Sequence, residues 1–131
     1  MSGQQRLSAL TAVTELKLQA ARARLAEVAT REAALRDNLA QLEQTRRNPA
    51  DLLDRTPDPA TIAGADLRWQ RWADQRRAAI TAELARVLAE KAQATRALAR
   101  AFGRDAAARG LQDKADAAAR QIAARRAAYE S

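Results

Sequence analysis

The stretch that decides the fold is 18-LQAARARLAEVATREAALRDNLAQL-42, in which two interleaved sets of residues each recur every seven positions. One set occupies the a positions of a heptad, and the other follows it by three, at the d positions. The a set is Leu18, Leu25, Glu32 and Leu39, and the d set is Ala21, Val28, Leu35 and Leu42. A repeat sustained over more than three heptads predicts an amphipathic helix with a coiled-coil seam, in which Glu32 is the one polar a residue.

A second heptad seam follows in the C-terminal half of the chain. Its members alternate in steps of four and three: Ile80, Leu84, Val87, Lys91, Ala94, Leu98 and Ala101. Between the two seams lie Pro49, Pro57 and Pro59, which predict a helix end near Asn48 and a helix start near Pro59. Two long amphipathic helices joined by a short connection favour antiparallel packing.

We therefore predict an all-α fold, an antiparallel two-helix coiled-coil hairpin with a longer second helix. The predicted single domain covers residues 1–131, with helices at about 5–46 and about 59–128 and a tip linker at 47–58. Because alanine supplies most of the 47% hydrophobic residues and aromatics only 3%, we expect a thin seam and an elongated molecule.

Both ends of the predicted hairpin carry apolar residues that do not continue these seams. Near the N-terminus, apolar residues spaced by three predict first turns that pack differently: Leu7, Leu10, Val13 and Leu16. Near the C-terminus, a weaker face of shifted phase is predicted: Leu111, Ala115, Ala118, Ile122 and Tyr129.

Gly103 and Gly110 leave two courses open for the C-terminal segment. It either continues as one helix or folds back as a third helix. We favour one helix, because an interior glycine costs only about 1 kcal/mol relative to alanine and no proline accompanies these two.

The composition argues against an enzyme. The chain has no His and no Cys, and its four glycines form no phosphate-binding loop. We predict no catalytic residue, no metal site and no cofactor. The net charge is +7, but acidic residues are interleaved with arginines and no recognition motif is present, which argues against nucleic acid. With no apolar stretch long enough to insert into a membrane, we expect a cytoplasmic protein.

Trp69 and Trp72 are the most informative side chains, since they lie near the predicted tip of a chain with few aromatics. They either cover the end of the thin core or bind a partner. Trp and Arg are both enriched at interface hot spots, and here Arg68 and Arg71 alternate with the two indoles.

The N-terminal pattern resembles the FliJ family of flagellar export proteins, whose type III secretion counterparts form the central stalk of the injectisome ATPase. The residues that carry the resemblance are Arg6, Leu7, Leu10, Val13, Glu15, Lys17, Ala20, Ala21, Leu25, Ala26, Leu35, Leu39, Leu42, Glu43 and Arg46. The layout of one long helix, a tip and a longer second helix is also similar. The proline-rich linker and the late glycines depart from the family.

The resemblance implies a stalk whose terminal ends insert into the pore of a hexameric export ATPase and whose tip reaches an export gate protein in the membrane. Export chaperones are further partners that it implies. Carried onto this chain, the tip candidates are Leu39, Leu42, Trp69 and Trp72. The candidates for the ATPase pore are Arg6, Leu10, Phe102, Arg104, Ile122 and Tyr129.

Two other functions are compatible with the same sequence. One is a generic coiled-coil scaffold or adaptor that dimerises through the seam. The other is a nonspecific nucleic-acid-binding protein that uses its diffuse basic surface.

Overall fold

The computed structural model of the chain describes residues 2–47 and 59–131, which form two α-helices. Helix α1 covers Gly3–Arg47 and helix α2 covers Pro59–Glu130. The described residues contain no strand, and the two helices pack against each other, so the prediction of an all-α helical hairpin is confirmed. The predicted tip linker beyond Arg47 lies outside the described residues.

A capping box begins helix α1. The Ser2 hydroxyl accepts a hydrogen bond from the Gln5 backbone N–H at 3.2 Å, and the Ser2 backbone N–H donates to Gln5 Oε1 at 2.9 Å. Two of the backbone donors that a helix start leaves without a partner are thereby satisfied.

Helix α2 continues without a break through Gly64, Gly103 and Gly110. None of these glycines has a positive φ, and none has another side chain close to where a Cβ would lie. They are ordinary helical residues, so the third-helix alternative is not the one adopted.

By their contacts the helices divide into two compact units, and each helix contributes to both. Unit 1 comprises Met1–Ala26 and Gln93–Ser131, and unit 2 comprises Glu27–Ala92.

Unit 2 holds an apolar core along the predicted seam. Val28 and Val87 are fully buried, and Leu39 packs at the margin of the cluster. The buried members of this cluster are Val28, Leu35, Ile80, Leu84 and Val87. In α1, Val28 and Leu35 are d residues seven apart. In α2, Ile80 and Val87 are d residues and Leu84 is an a residue, in the steps of four and three that the sequence predicts.

Ion pairs between charged side chains accompany the apolar core of unit 2. Glu32 Oε1 accepts a hydrogen bond from Lys91 Nζ at 2.6 Å, and Glu32 Oε2 accepts one from Arg36 at 3.0 Å. Arg31 pairs with Glu90 at 2.7 Å, and Arg77 pairs with Glu43. Residue numbers rise along α1 as they fall along α2, so the packing is antiparallel.

At the start of α2, the buried and half-buried residues recur in one step of three and then three steps of four, rather than in the alternating steps of the heptad. These residues are Ile62, Ala65, Trp69, Ala73 and Arg77, which are half-buried or buried. An extra step of four in a heptad is a stutter, which locally unwinds the supercoil. The stutter brings Trp69 toward the seam and leaves Trp72 outside it.

The seam of unit 1 is more polar, and here two predictions are wrong. Leu10, Val13 and Leu16 are exposed, whereas Thr11 and Thr14 are buried at the a and d positions. Of the predicted face spaced by three, only Leu7 is half-buried, at a d position, because the heptad continues in phase from Leu18 to the first turns of α1.

The phase shift predicted for the later face in α2 is absent. Buried Asp105 and Ala108 and half-buried Ala115 follow Ala101 in the heptad phase. Ile122 and Tyr129 keep this phase but are exposed, and Leu111 is exposed outside it. Steps of four and three thus run past Gly103 without a shift. Sequence reasoning missed this because it favoured larger apolar side chains over small and polar ones that keep the heptad spacing.

Candidate protein-binding surfaces

In unit 2, an open groove lies beside Trp72, whose side chain is 54% exposed. Its volume is about 240 Å³, and buried Leu42 and Ile80 form its floor. The lining residues are Asn38, Gln41, Leu42, Thr45, Trp72, Arg76 and Ile80. An indole beside an arginine and an apolar floor is a combination typical of protein interfaces.

The four predicted tip residues divide between this groove and the seam. Leu42 and Trp72 line the groove together. Leu39 packs against the core of unit 2, and Trp69 is half-buried. Only Trp72 of the two indoles therefore offers most of its ring to a partner.

Unit 1 carries a larger groove between α1 and α2. Its volume is about 540 Å³. The lining residues are Leu10, Val13, Thr14, Lys17, Arg104, Ala107, Ala108 and Leu111. Two of the predicted terminal residues, Leu10 and Arg104, are thus brought together on one surface.

The other residues predicted for the ATPase pore lie elsewhere in unit 1. Phe102 is 59% exposed and follows buried Ala101, at the e position of the heptad, so it does not line the groove. Arg6 is exposed in the first turns of α1, at a c position. Ile122 and Tyr129 are exposed in the last turns of α2.

The last turns of α2 form a third candidate surface. All residues from Asp116 to Ser131 are exposed. Gln112 Nε2 donates a hydrogen bond to Ser8 Oγ at 3.3 Å, close to the start of α1. Ile122 and Tyr129 occupy the next d positions after buried Ala108 and half-buried Ala115, yet nothing in the described chain covers them.

Polar contacts hold the two helices together beneath the groove of unit 1. Thr14 Oγ1 donates a hydrogen bond to Asp105 Oδ1 at 2.9 Å, and Arg109 donates to Asp105 Oδ2 at 2.9 Å. The Arg109 hydrogen bond, with help from Thr14, lowers the pKa of Asp105 below its ordinary value. Arg109 also pairs with Glu15 at 3.5 Å. The Asp105 carboxylate is thus part of the seam rather than of the exposed surface.

The described residues contain neither a candidate metal site nor a candidate membrane span. No group of three or more acidic, His or Cys residues among them could hold a metal ion. Neither described helix contains a stretch long and apolar enough to cross a membrane. Both grooves are open and shallow, a form suited to another protein more than to a small molecule.

Sequence reasoning missed Val13, Lys17 and Leu111 as members of the groove in unit 1. All three lie at g or c positions, which flank the seam on one side. Extending the heptad in phase from Leu18 toward the N-terminus would have found Val13 and Lys17, and extending the second seam past Gly103 would have found Leu111.

Compared with protein-family models, with curated proteins and with solved structures, the chain matches none. The resemblance to the FliJ family therefore rests on the pattern of the sequence alone.

Proposed function

We propose that this chain is a non-enzymatic coiled-coil stalk of a flagellar or type III protein export apparatus. In this role its terminal ends bind the hexameric export ATPase and its tip binds the export gate protein. Export chaperones are further candidate partners. The assignment to an export apparatus is based on the sequence resemblance. The more general role in protein binding is based on the exposed surfaces.

The observation that carries the proposal is the exposed seam in the last turns of α2. Ile122 and Tyr129 are 52% and 92% exposed, although they stand at positions that a partner helix buries elsewhere in the same unit. Burying a large apolar side chain contributes about 1.5–3 kcal/mol. A face of this kind favours binding to another protein.

Binding to the export ATPase encoded in the same genome tests the proposal. Purified chain is titrated with the ATPase, and complex formation and ATP turnover are both measured. We expect a complex and a higher turnover. Absence of both, with the chain shown to be helical by circular dichroism, contradicts the stalk role.

Two variants of matched charge locate the contact. Ile122→Asp places a carboxylate on the exposed seam and is expected to weaken ATPase binding roughly tenfold or more. Ala124→Asp adds the same charge on the opposite face of the same turn and is expected to leave binding nearly unchanged. Equal effects of the two variants would remove the seam from the interface.

The tip is tested separately with Trp72, because its indole is exposed beside the groove of unit 2. Trp72→Ala is expected to weaken binding to the cytoplasmic domain of the export gate protein while leaving ATPase binding intact. Trp69→Phe serves as a control, since Trp69 is half-buried. Retained gate binding by the Trp72 variant contradicts the assignment of the tip.

A further inference from the structure

We propose that the groove of unit 1 binds an acidic amphipathic helix of a partner protein. The stalk role does not say which segment of a partner protein binds here, and the inference specifies that segment as an acidic helix. It rests on the proposed function only in placing protein binding on this unit.

The floor of the groove is aliphatic and accessible. Leu10, Val13 and Leu111 are 43%, 48% and 52% exposed, and Ala107 and Ala108 lie between them. Aliphatic side chains spaced along a depression between two helices match a third helix that inserts residues at i, i+3 or i+4, and i+7. Small residues such as these alanines permit close approach of that helix.

The rim of the groove is basic. Lys17 and Arg104 line it from α1 and α2, and both are exposed. Among residues 2–47 and 59–131, no ion pair includes either of them. On the opposite flank, by contrast, Glu15 and Arg109 neutralise each other across the seam. The cations of the rim are therefore available to a partner's carboxylates.

This charge separation extends along unit 1. We call its g and c positions the basic flank, because their charged residues are all cationic and exposed: Arg6, Lys17, Arg24, Arg100, Arg104, Lys114 and Arg125. The acidic residues of the unit all lie at other heptad positions: Glu15, Asp105, Asp113, Asp116 and Glu130.

The g and c positions of unit 2 do not share this property. Glu27, Glu83 and Glu90 occupy such positions there, together with arginines. A high arginine content of the chain as a whole therefore does not explain the basic flank. Complementary potentials set the specificity and the association rate of protein complexes, so an acidic partner is favoured at unit 1.

The groove favours a helix over nucleic acid or lipid. Nucleic acid would use the cations but not the leucine and valine floor, and no aromatic side chain lines the groove for base stacking. A bilayer takes up apolar side chains that protrude, whereas these line a depression between two helices. An acidic amphipathic helix uses both the floor and the rim.

The test uses the full chain and a synthetic, fluorescently labelled helical peptide about three heptads long, with leucines on one face and glutamates beside them. A peptide with lysines in place of the glutamates is the control probe. Fluorescence anisotropy is expected to show binding of the acidic peptide and none of the basic one. Equal binding of the two overturns the inference.

Charge reversal on the chain supplies the second comparison. Lys17→Glu with Arg104→Glu is expected to weaken binding of the acidic peptide at least tenfold. Arg96→Glu with Arg120→Glu makes the same change in net charge at f and b positions, outside the basic flank, and is expected to have a small effect. Equal weakening by the two pairs overturns the inference, because it would show a diffuse effect of net charge.

The floor is tested without a change of charge. Leu10→Gln with Leu111→Gln alters two exposed residues, so folding is expected to persist, and circular dichroism checks this. Peptide binding is expected to fall severalfold. Unchanged binding contradicts insertion into the groove, and a preference for duplex DNA or phosphatidylglycerol vesicles over the acidic peptide overturns the choice of partner.

Failure of this inference is distinguishable from failure of the stalk role. Absence of peptide binding by a chain that still binds the export ATPase refutes the acidic-helix inference alone. Peptide binding without ATPase binding refutes the stalk role alone.

Discussion

Lys91 Nζ lies 2.6 Å from Glu32 Oε1, and the two residues occupy a positions on facing helices of unit 2. Val28, Leu35 and Val87 pack in the same seam, so this pair is the polar interruption of an apolar core. We expect a charged pair at such a position to contribute less to stability than to the choice of register and orientation.

Replacing one or both members of this pair should separate the two contributions. Glu32→Leu removes the carboxylate that pairs with Lys91 and is expected to lower the thermal midpoint. Glu32→Leu with Lys91→Leu is expected to restore or exceed the wild-type midpoint, because an apolar pair carries no desolvation cost. Thermal unfolding of the single and double variants measures this. A double variant less stable than the single one would contradict it.

Acid is expected to destabilise the hairpin. The hydrogen bond from Lys91, joined by the one from Arg36, lowers the pKa of Glu32 below its ordinary value of 4.5. The pKa of Asp105 is lowered below 3.8, chiefly by Arg109. Carboxyls with lowered pKa values stabilise the folded state above their unfolded values and lose this contribution as the pH falls through the folded values. The free energy of unfolding should therefore fall from roughly pH 5 downward.

Urea unfolding at several pH values tests this dependence. Glu32→Gln with Asp105→Asn is expected to flatten the acid limb of the profile. Because the chain has no His, little change is expected between about pH 6 and pH 8. An acid limb of equal slope in the double variant would assign the effect to other carboxyls.

Alanine at Gly103 and at Gly110 is expected to stabilise the protein. Both glycines lie inside α2, have ordinary helical backbone, and have open space where the Cβ would lie. Each substitution should add about 1 kcal/mol to the free energy of unfolding, because alanine loses less backbone entropy in a helix. Thermal unfolding should show a rise of roughly 4 °C for each. A loss of stability would indicate a role for these glycines other than helix continuity.

Ile80→Ala should show where the core of unit 2 lies. Ile80 is 3% exposed and packs in the apolar cluster, so truncation is expected to cost about 2–5 kcal/mol. Leu88→Ala removes a similar side chain that is 39% exposed and is expected to cost clearly less. Urea unfolding compares the two, and equal losses would contradict the assigned seam.

The two indoles should differ in fluorescence. Trp69→Phe leaves the exposed Trp72 as the reporter, and Trp72→Phe leaves the half-buried Trp69. The emission of the first variant is expected to lie at longer wavelength and to be quenched more by acrylamide. Equal quenching of the two would place both indoles in the same environment.

Two heptad seams, Leu18 to Leu42 and Ile80 to Ala101, with prolines between them, were enough to predict the hairpin. Large apolar residues at their a and d positions leave one face of each helix to bury. Where small or polar residues hold the seam, as at Thr11, Thr14 and Asp105, the sequence pattern was misleading. Exposed leucines nearby offered a stronger apolar signal than the residues that pack. The groove of unit 1 was missed in part for the same reason, since its floor consists of those exposed residues.

Some of the predicted site residues come together in a groove and others do not, and the heptad phase explains the difference. Leu10 with Arg104, and Leu42 with Trp72, come together because the antiparallel register brings α1 and α2 side by side within each unit. Phe102 was grouped with Leu10 from its position along the chain, but its e position turns it to the other flank. The position of a residue along the helix could be predicted from the sequence. The side of the seam on which it lies could be predicted only with the correct heptad phase.

We expect the native state to open first at the seam of unit 1, where threonines and an aspartate replace apolar residues. Their hydrogen bonds can be exchanged for water with little loss of free energy, whereas separating the apolar cluster of unit 2 exposes Val28, Ile80 and Val87. In a deuterium-exchange experiment, the amides in the first turns of α1 should therefore take up label well before those around Val28. Local unfolding, and with it proteolytic cleavage, is expected to start in these turns.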